Sequence, residues 1–293
     1  LIFNFAAYYI RGVQLVTFTS DFGLSDPYVG EVKGVVAALA PQVRVIDISH
    51  DIEPGNLLQG SFVIAGSFRY FTAGTVHLVV VDPGVGTPRG ILVVQTRQYR
   101  FIGPDNGVLY EAVQRSGLEK LFELDTVRLY EELQARFPGN SVVEHLLQTG
   151  TSSTFHGRDL FAPLTAYLCS GYPLEAVAKR REELERLVIP APVQTETSVA
   201  GRIIYIDRFG NLVTNIPDAY VDRDDEVFIK ARNELSLVGR IAETYADVQT
   251  GTPLALIGSR GNLEIALNRG SAREYFDAAS GDEILVMKGE GRT

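Results

Sequence analysis

Aspartate recurs in this chain where an extended apolar run gives way to a turn. Asp21 closes one run in TSDFG, Asp47 and Asp51 flank the end of another in DISHD, and Asp82 closes a third in VVVDPGVG. Carboxylates so placed can accept hydrogen bonds from ligand hydroxyls, take up a proton or bind a cation, although aspartate also forms turns and caps helices for the backbone's sake alone. Arg89 follows Asp82 within DPGVGTPRG. The glycines suggest a phosphate cradle, but a dinucleotide fingerprint needs a helix after them; here ILVVQT resumes an extended run, and GxxxxGKS occurs nowhere. The loop reads instead as a frame that holds Asp82 and Arg89 in fixed places.

The histidines are His50, His77, His145 and His156, with no HExxH and no pair at the i, i+4 spacing of a helical metal site. His77 lies inside an apolar run and reads as a packing residue. His156 stands in TFHGRDLFAP between an aromatic residue and a glycine, just before a helical pattern. Of the imidazoles it is the one placed to handle a proton near neutral pH.

These groups need a scaffold. VQLVTF (Val13 to Phe18), VRVIDI (Val43 to Ile48) and VHLVVV (Val76 to Val81) are continuous and β-branched, as strands covered on both faces are. Between the first two, Ser25 and Asp26 are candidate caps, Pro27 fits a first helical position, and Val29, Val32, Val36 and Leu39 recur at helical spacing up to Pro41. Asn56 to Phe71 repeats the pattern. The resulting β-α-β-α-β order predicts a parallel sheet with right-handed crossovers, whose strand-end acids face a common crevice.

Further along, Ile91 to Thr96 and Gln98 to Ile102 read as strands, and the stretches near Asn106 to Arg115, Asp159 to Ser170 and Pro173 to Arg186 as helices. Proline-rich sequence after Val188 marks a linker, placed at 191–198. Beyond it the runs GRIIYI, NLVTNI, EVFIKA, LSLVGRI, PLALIG, LEIAL and EILVMK are separated by Gly, Asn or Asp turns, the pattern of a small β-barrel. The expected fold class is therefore α/β: residues 1–190 form a central, mostly parallel sheet flanked by helices, and residues 199–293 form an all-β barrel.

Composition narrows the function. Among 293 residues, 27 Lys and Arg against 36 Asp and Glu leave a net charge of −9, which argues against nucleic acid or an anionic membrane as partner. No apolar run reaches the roughly 18 residues of a membrane span. The single cysteine, Cys169, rules out an internal disulfide or Cys-clustered zinc and fits a reducing cytoplasm. The opening LIFNFAAYYIRG is apolar without a basic start or cleavage signature, and reads as a frayed or vector-encoded start with a potential edge role.

Six motifs in order, TSDFGLSDPYVGEVKG, VVVDPGVGTPRG, FIGPDNGV, TFHGRDLFAP, IDRFGNLVTNI and IGSRGNLEIA, resemble the S-adenosyl-L-methionine hydroxide adenosyltransferases, once catalogued as a domain of unknown function and related to fluorinases and chlorinases. The resemblance runs from about Val13 to the C-terminus; the stretch between Leu129 and Thr154 has no counterpart motif. It implies a hydrolase that splits S-adenosyl-L-methionine (SAM) into adenosine and L-methionine by attack on the ribose 5′-carbon. It also implies a homotrimer with active sites between the N-terminal domain of one subunit and the C-terminal domain of its neighbour.

The same resemblance assigns roles. Asp82, Arg89 and His156 match the trio of the hydroxide-using members; halogenating relatives carry a ribose-pocket tryptophan, and this chain has none. Asp21 matches the residue that accepts hydrogen bonds from the ribose 2′- and 3′-hydroxyls, a role favoured because Ser25 and Asp26 are there to cap the following helix. Asp207 would bind the methionine ammonium, Ser259 and Arg260 its carboxylate, Asn211 the adenine edge, and Tyr245 would stack on the ring. Arg269 falls where a backbone contact to adenine is expected. No metal and no cofactor beyond the substrate is implied. Competing readings are a halogenase, a magnesium-dependent phosphohydrolase using Asp21, Asp47 and Asp82, and a non-catalytic adenosine-binding or SAM-binding module.

Overall fold

The computed structural model describes residues 14–187, 189–232 and 234–289; the opening dozen residues and their expected edge role lie outside them. The chain divides into two compact units, 1–187 and 188–293.

In the first unit, β1 (Leu15–Ser20), α1 (Tyr28–Leu39), β2 (Arg44–Ser49), α2 (Leu57–Ser67) and β3 (Val76–Val80) follow in the order expected. β1 pairs in parallel with β2 on one side and β3 on the other, because a helical crossover returns each strand in the same direction. Asn56 caps α2 by accepting the Gln59 amide at 3.0 Å. α1 departs from expectation at its start: it follows Pro27 with no side-chain cap, so Ser25 and Asp26 do not cap it.

β4 (Ile91–Thr96) and β5 (Arg100–Pro104) pair antiparallel, and β5 adds in parallel to β3. α3 (Tyr110–Ser116) precedes β6 (Leu118–Leu124), a strand with no counterpart in the sequence reading. α4 (Thr126–Arg136) and α5 (Ser141–Thr149) fill most of the stretch that matched no motif; Asp125 and Asn140 cap them by accepting the amides of Arg128 and of Val142 and Val143. A π-turn at Gly157–Phe161 leads into α6 (Ala162–Cys169).

Pro173 to Arg186 is not a helix. One turn, α7 (Leu174–Val177), gives way to β7 (Ala178–Arg181), which pairs antiparallel with β6. The open backbone of β6 and the ion pairs of Arg181 with Glu123 and Asp105, at 2.9 and 2.7 Å, outweigh the local preference of AKRREE for helix. The finished sheet runs β2-β1-β3-β5-β4-β6-β7 and is mixed rather than mostly parallel. Helices cover both faces: Val16, Phe18, Leu78 and Val80 pack with α1, α4, α5 and α6, and Val79, Val81, Leu92 and Phe101 with α2 and α3.

In the second unit, β8 (Val193–Gln194) falls within the expected linker and pairs with β9 (Ser198–Ile206). β10 (Leu212–Pro217), β11 (Glu226–Ala231), β12 (Glu234–Ala242), β13 (Pro253–Ile257), β14 (Asn262–Leu267) and β15 (Glu283–Met287) correspond to the remaining apolar runs. Pairing of β10 with β9 as well as β14 closes the seven strands β9 to β15 into a barrel. Its interior is filled by inward residues such as Val199, Leu212, Ile229, Leu263 and Ile284, and α8 (Ala272–Phe276) follows β14.

Candidate active site

Asp82 follows β3 and Arg89 precedes β4, so the loop between them starts and ends on the sheet. Two successive turns fold it back: the Val85 amide reaches the Asp82 carbonyl and the Thr87 amide the Gly84 carbonyl, both at 3.1 Å. The expected frame is thus present. Arg89 Nε donates to Asp82 Oδ1 at 2.8 Å and Oδ2 at 2.9 Å, and Nη2 also bonds Oδ2. Nη2 further bonds Nδ1 of His156 at 2.9 Å. The ion pair is nearly buried, with side-chain exposures of 9% for Arg89 and 5% for Asp82. The guanidinium carbon also lies over the Phe161 ring, 5.5 Å from its centre.

This geometry sets the state of the imidazole. Guanidinium only donates, so Nδ1 of His156 accepts and a neutral ring carries its proton on Nε2. Burial, then the charge of Arg89, holds His156 below the usual histidine range, which keeps the ring neutral near pH 7.

His156 is brought to Arg89 by the chain between α5 and α6. Ser152 donates its amide to Asp159 Oδ2 at 2.8 Å, and Arg158 bonds both Asp159 and Glu31 of α1. Gly86, with φ of +79°, lies so close to this segment that a Cβ there would stand 2.3 Å from the Ser153 carbonyl oxygen. Phe155 packs edge-on against Phe22 at 5.7 Å and Tyr28 at 5.1 Å. This aromatic contact joins the loop of Asp21 to the loop of His156. The sequence reading missed it, though the signal was present: an aromatic residue adjoins the candidate acid in SDFG and the histidine in TFHG.

Asp21 accepts the Gly55 amide on Oδ2 at 2.8 Å. Burial raises its carboxyl above the usual aspartate range, the Gly55 amide opposes this, and the charge of Asp82 adds to it. Asp21 and Asp82 therefore share one electrostatic environment. Asp47 belongs elsewhere: Lys33 donates to it at 2.5 Å, and His50 Nε2 faces it at 3.2 Å. The strand-end acids do not all open on one cleft, and among the described residues no cluster of three or more His, Cys, Asp or Glu could hold a metal ion.

The second unit has its own polar group. Asp207 Oδ1 accepts the amides of Phe209 and Asn211 at 2.8 and 2.9 Å, while Oδ2 accepts Asn211 Nδ2 at 2.9 Å. Asp207 and Asn211 are thus locked together at the β9–β10 turn. Burial raises Tyr245 and Glu264, and both feel Asp207; Arg260 acts on Glu264 in the opposite sense. These residues share one electrostatic field. Glu264 was not among the sequence candidates, although it lies in IGSRGNLEIA; its carboxylate covers Gly258, where any Cβ would collide with it. Ser259 and Arg269 are exposed on turns flanking β14, and among the described residues neither bonds Asp207 or Asn211. Arg269 has a left-handed backbone, φ +58°.

Comparison with known proteins adds independent findings. The SAM hydroxide adenosyltransferase N-terminal domain family matches residues 16–178, and the corresponding C-terminal domain family matches residues 201–285. A protein of Thermus thermophilus named (R)-S-adenosyl-L-methionine hydrolase is 37% identical, covering 93% of this chain and 99% of its own. One of Methanocaldococcus jannaschii with the same name is 30% identical over 94% and 96%. A fluorinase of Actinopolyspora mzabensis is more distant, at 26% over 94% and 97%. Among solved structures, an uncharacterized conserved protein from Thermotoga maritima superposes with a TM-score of 0.80 at 36% identity, over 93% of this chain and all of that one.

Proposed function

Because the chain belongs to the SAM hydroxide adenosyltransferase family, we propose that it hydrolyses S-adenosyl-L-methionine to adenosine and L-methionine. The observation that supports this best is the bonded set Asp82, Arg89 and His156, a nearly buried carboxylate–guanidinium pair joined to a half-buried neutral imidazole, groups suited to stabilising and deprotonating a water nucleophile.

In this scheme the oxygen of water attacks the ribose 5′-carbon in line with the departing sulfur. The C5′–O bond forms, and the C5′–S pair leaves on sulfur as the neutral thioether of methionine. No acid is needed at the leaving group, so orientation and nucleophile stabilisation carry the step. Arg89 stays protonated and stabilises the developing hydroxide. His156, its Nδ1 engaged, offers Nε2–H to the same oxygen, and Asp82 takes up the proton. Asp21 accepts from the ribose hydroxyls. In the barrel unit Asp207 receives the ammonium, Ser259 and Arg260 the carboxylate, Asn211 and the backbone of Arg269 the adenine, and Tyr245 stacks on it. The scheme uses no cofactor beyond the substrate.

The reading further includes a homotrimer, checked by light scattering, and work in the cytoplasm, checked by fractionation. Among the described residues no helix is long and apolar enough to cross a membrane.

Incubation with SAM and chromatography of the products tests the activity. Adenosine and methionine in equal amounts, independent of added chloride or fluoride, are expected. Halide-dependent 5′-halogenated nucleoside would mark a halogenase, and intact SAM a binding module; either result overturns the hydrolase. Asp82→Asn and His156→Ala should each reduce turnover by about 10²-fold or more if these groups handle the nucleophile.

A further inference from the structure

Next to Asp21 runs a chain of polar groups, buried at Ser20 and His50 and reaching the surface at Asp47, that the proposed reaction leaves unused. Ser20, the last residue of β1, places Oγ 2.7 Å from Nδ1 of His50 and accepts the Phe22 amide at 3.4 Å. His50 follows β2, is 4% exposed and packs edge-on against Phe18 at 4.7 Å. Its carbonyl accepts the Gly23 amide at 2.8 Å. Its Nε2 lies 3.2 Å from Asp47 Oδ1, an electrostatic contact rather than a well-aligned hydrogen bond, and Asp47 Oδ2 is held by Lys33 of α1.

The direction of this chain follows from donor and acceptor types. Burial keeps His50 neutral, so one ring nitrogen carries the proton. Nε2 faces a carboxylate and carries it. Nδ1 is then the acceptor, the Ser20 hydroxyl donates to it, and Ser20 Oγ still accepts from Phe22. His50 thereby grips the segment Ser20-Asp21-Phe22-Gly23 at both ends, Ser20 through its ring and Gly23 through its carbonyl. Asp21 sits inside that grip.

We propose that His50 is a positioning residue: together with Ser20 and Asp47 it fixes the turn that aims Asp21 at the nucleoside, and so sets nucleoside affinity without touching the reacting atoms. The proposal rests on the reading of Asp21 as a ribose contact. The Ser20–His50–Asp47 sequence resembles a nucleophile relay, but Ser20 is fully buried and its hydroxyl is spent on the turn, so it serves geometry rather than attack.

The test compares the parent with His50→Asn, which keeps an acceptor near the place of Nδ1, and His50→Leu, which removes it. SAM hydrolysis and calorimetric titration with adenosine are the readouts. His50→Leu is expected to raise KM for SAM and weaken adenosine binding about tenfold, with kcat within about twofold, the scale of one lost hydrogen bond. His50→Asn should recover most of that loss. An unchanged KM in His50→Leu, an equal loss in both variants, or a fall in kcat matching the rise in KM would overturn the proposal. Should His50→Leu fail to fold, Ser20→Ala replaces it: a several-fold rise in KM supports the role, and parental KM overturns it. A parent that neither binds adenosine nor consumes SAM overturns the reading of Asp21 itself; a working parent beside an indifferent His50→Leu overturns the positioning role alone.

Discussion

Arg89 dictates the tautomer of His156. By giving one Nη2 hydrogen to Nδ1 while its Nε edge holds Asp82, the guanidinium leaves the imidazole proton on the nitrogen that faces away from it. Carboxylate and imidazole thus receive different duties from one cation. Replacing Arg89 should expose this double dependence. Arg89→Met strands the buried Asp82 carboxylate, at a cost of about 3–5 kcal/mol in denaturant unfolding, and abolishes turnover. Arg89→Lys keeps the charge but cannot serve both partners in one plane; it is expected to unfold near the parental midpoint yet lose about 10²-fold or more in kcat. Parental kcat in Arg89→Lys would remove the guanidinium from the mechanism.

The pH dependence should separate binding from turnover. In the proposed scheme Asp21 accepts from the ribose hydroxyls as a carboxylate, protonation would turn one of its oxygens into a donor, and burial holds its carboxyl above the usual aspartate range. KM for SAM should therefore rise as pH falls, beginning above the roughly 3.9 of an ordinary aspartate. His156 is held below the usual histidine range, so kcat should stay level through pH 6.5 and drop only at lower pH, when protonated Nδ1 can no longer accept from Arg89. Asp21→Asn should flatten the acid arm of KM and leave that of kcat in place. Persistence of the KM arm in this variant would detach Asp21 from the nucleoside.

Gly86 tests the meeting of two loops. Gly86→Ala would place a methyl group 2.3 Å from the Ser153 oxygen and impose a left-handed φ on alanine. The expected result is a loss of about 1–3 kcal/mol in stability, with a fall in kcat larger than the fall in adenosine affinity, because the segment carrying His156 is pushed off Arg89. Thermal melts with kinetics measure both.

A different histidine should govern acid stability. His77 is fully buried, stacks on Phe101 at 5.0 Å and bonds Thr17 Oγ1 at 2.8 Å; burial pushes its pKa down to about 3. The folded value is depressed below the unfolded one, so the stabilisation is complete above pH 6.5 and is lost as pH falls toward 3. Between pH 7 and pH 4 the His77 share should be about 3 kcal/mol. Urea unfolding of His77→Gln should show a baseline loss of stability and a pH dependence shallower by that amount. An identical slope would assign the acid sensitivity to other groups.

Much of the architecture could be read from residue order. The β-branched runs named the parallel strands, and each of the seven alternating runs after Ala200 became a barrel strand, because burial leaves a period that local sequence carries. The DPGVGTPR loop disclosed Asp82 and Arg89 for a similar reason: glycine and proline restrict where the chain can turn. What escaped depends on partners far along the chain. β6 forms by pairing with β4 and β7 by pairing with β6, and Asp47, a strand-end acid like Asp21 and Asp82, is claimed by Lys33 of α1. The clasp of Phe22, Tyr28 and Phe155 and the Glu264 carboxylate over Gly258 arise only when separate turns meet.

The composition that disguised β7 as helix has a benefit once the strand is in place. β7 is the last strand of its sheet, four residues long, with Lys179 and Arg180 exposed. A foreign strand attempting to extend the sheet would find little backbone to hold and two cations beside it, costly company for an apolar segment. Self-association through this border is discouraged by the chain's own chemistry, as gatekeeper residues do in proteins that must stay dispersed at high concentration.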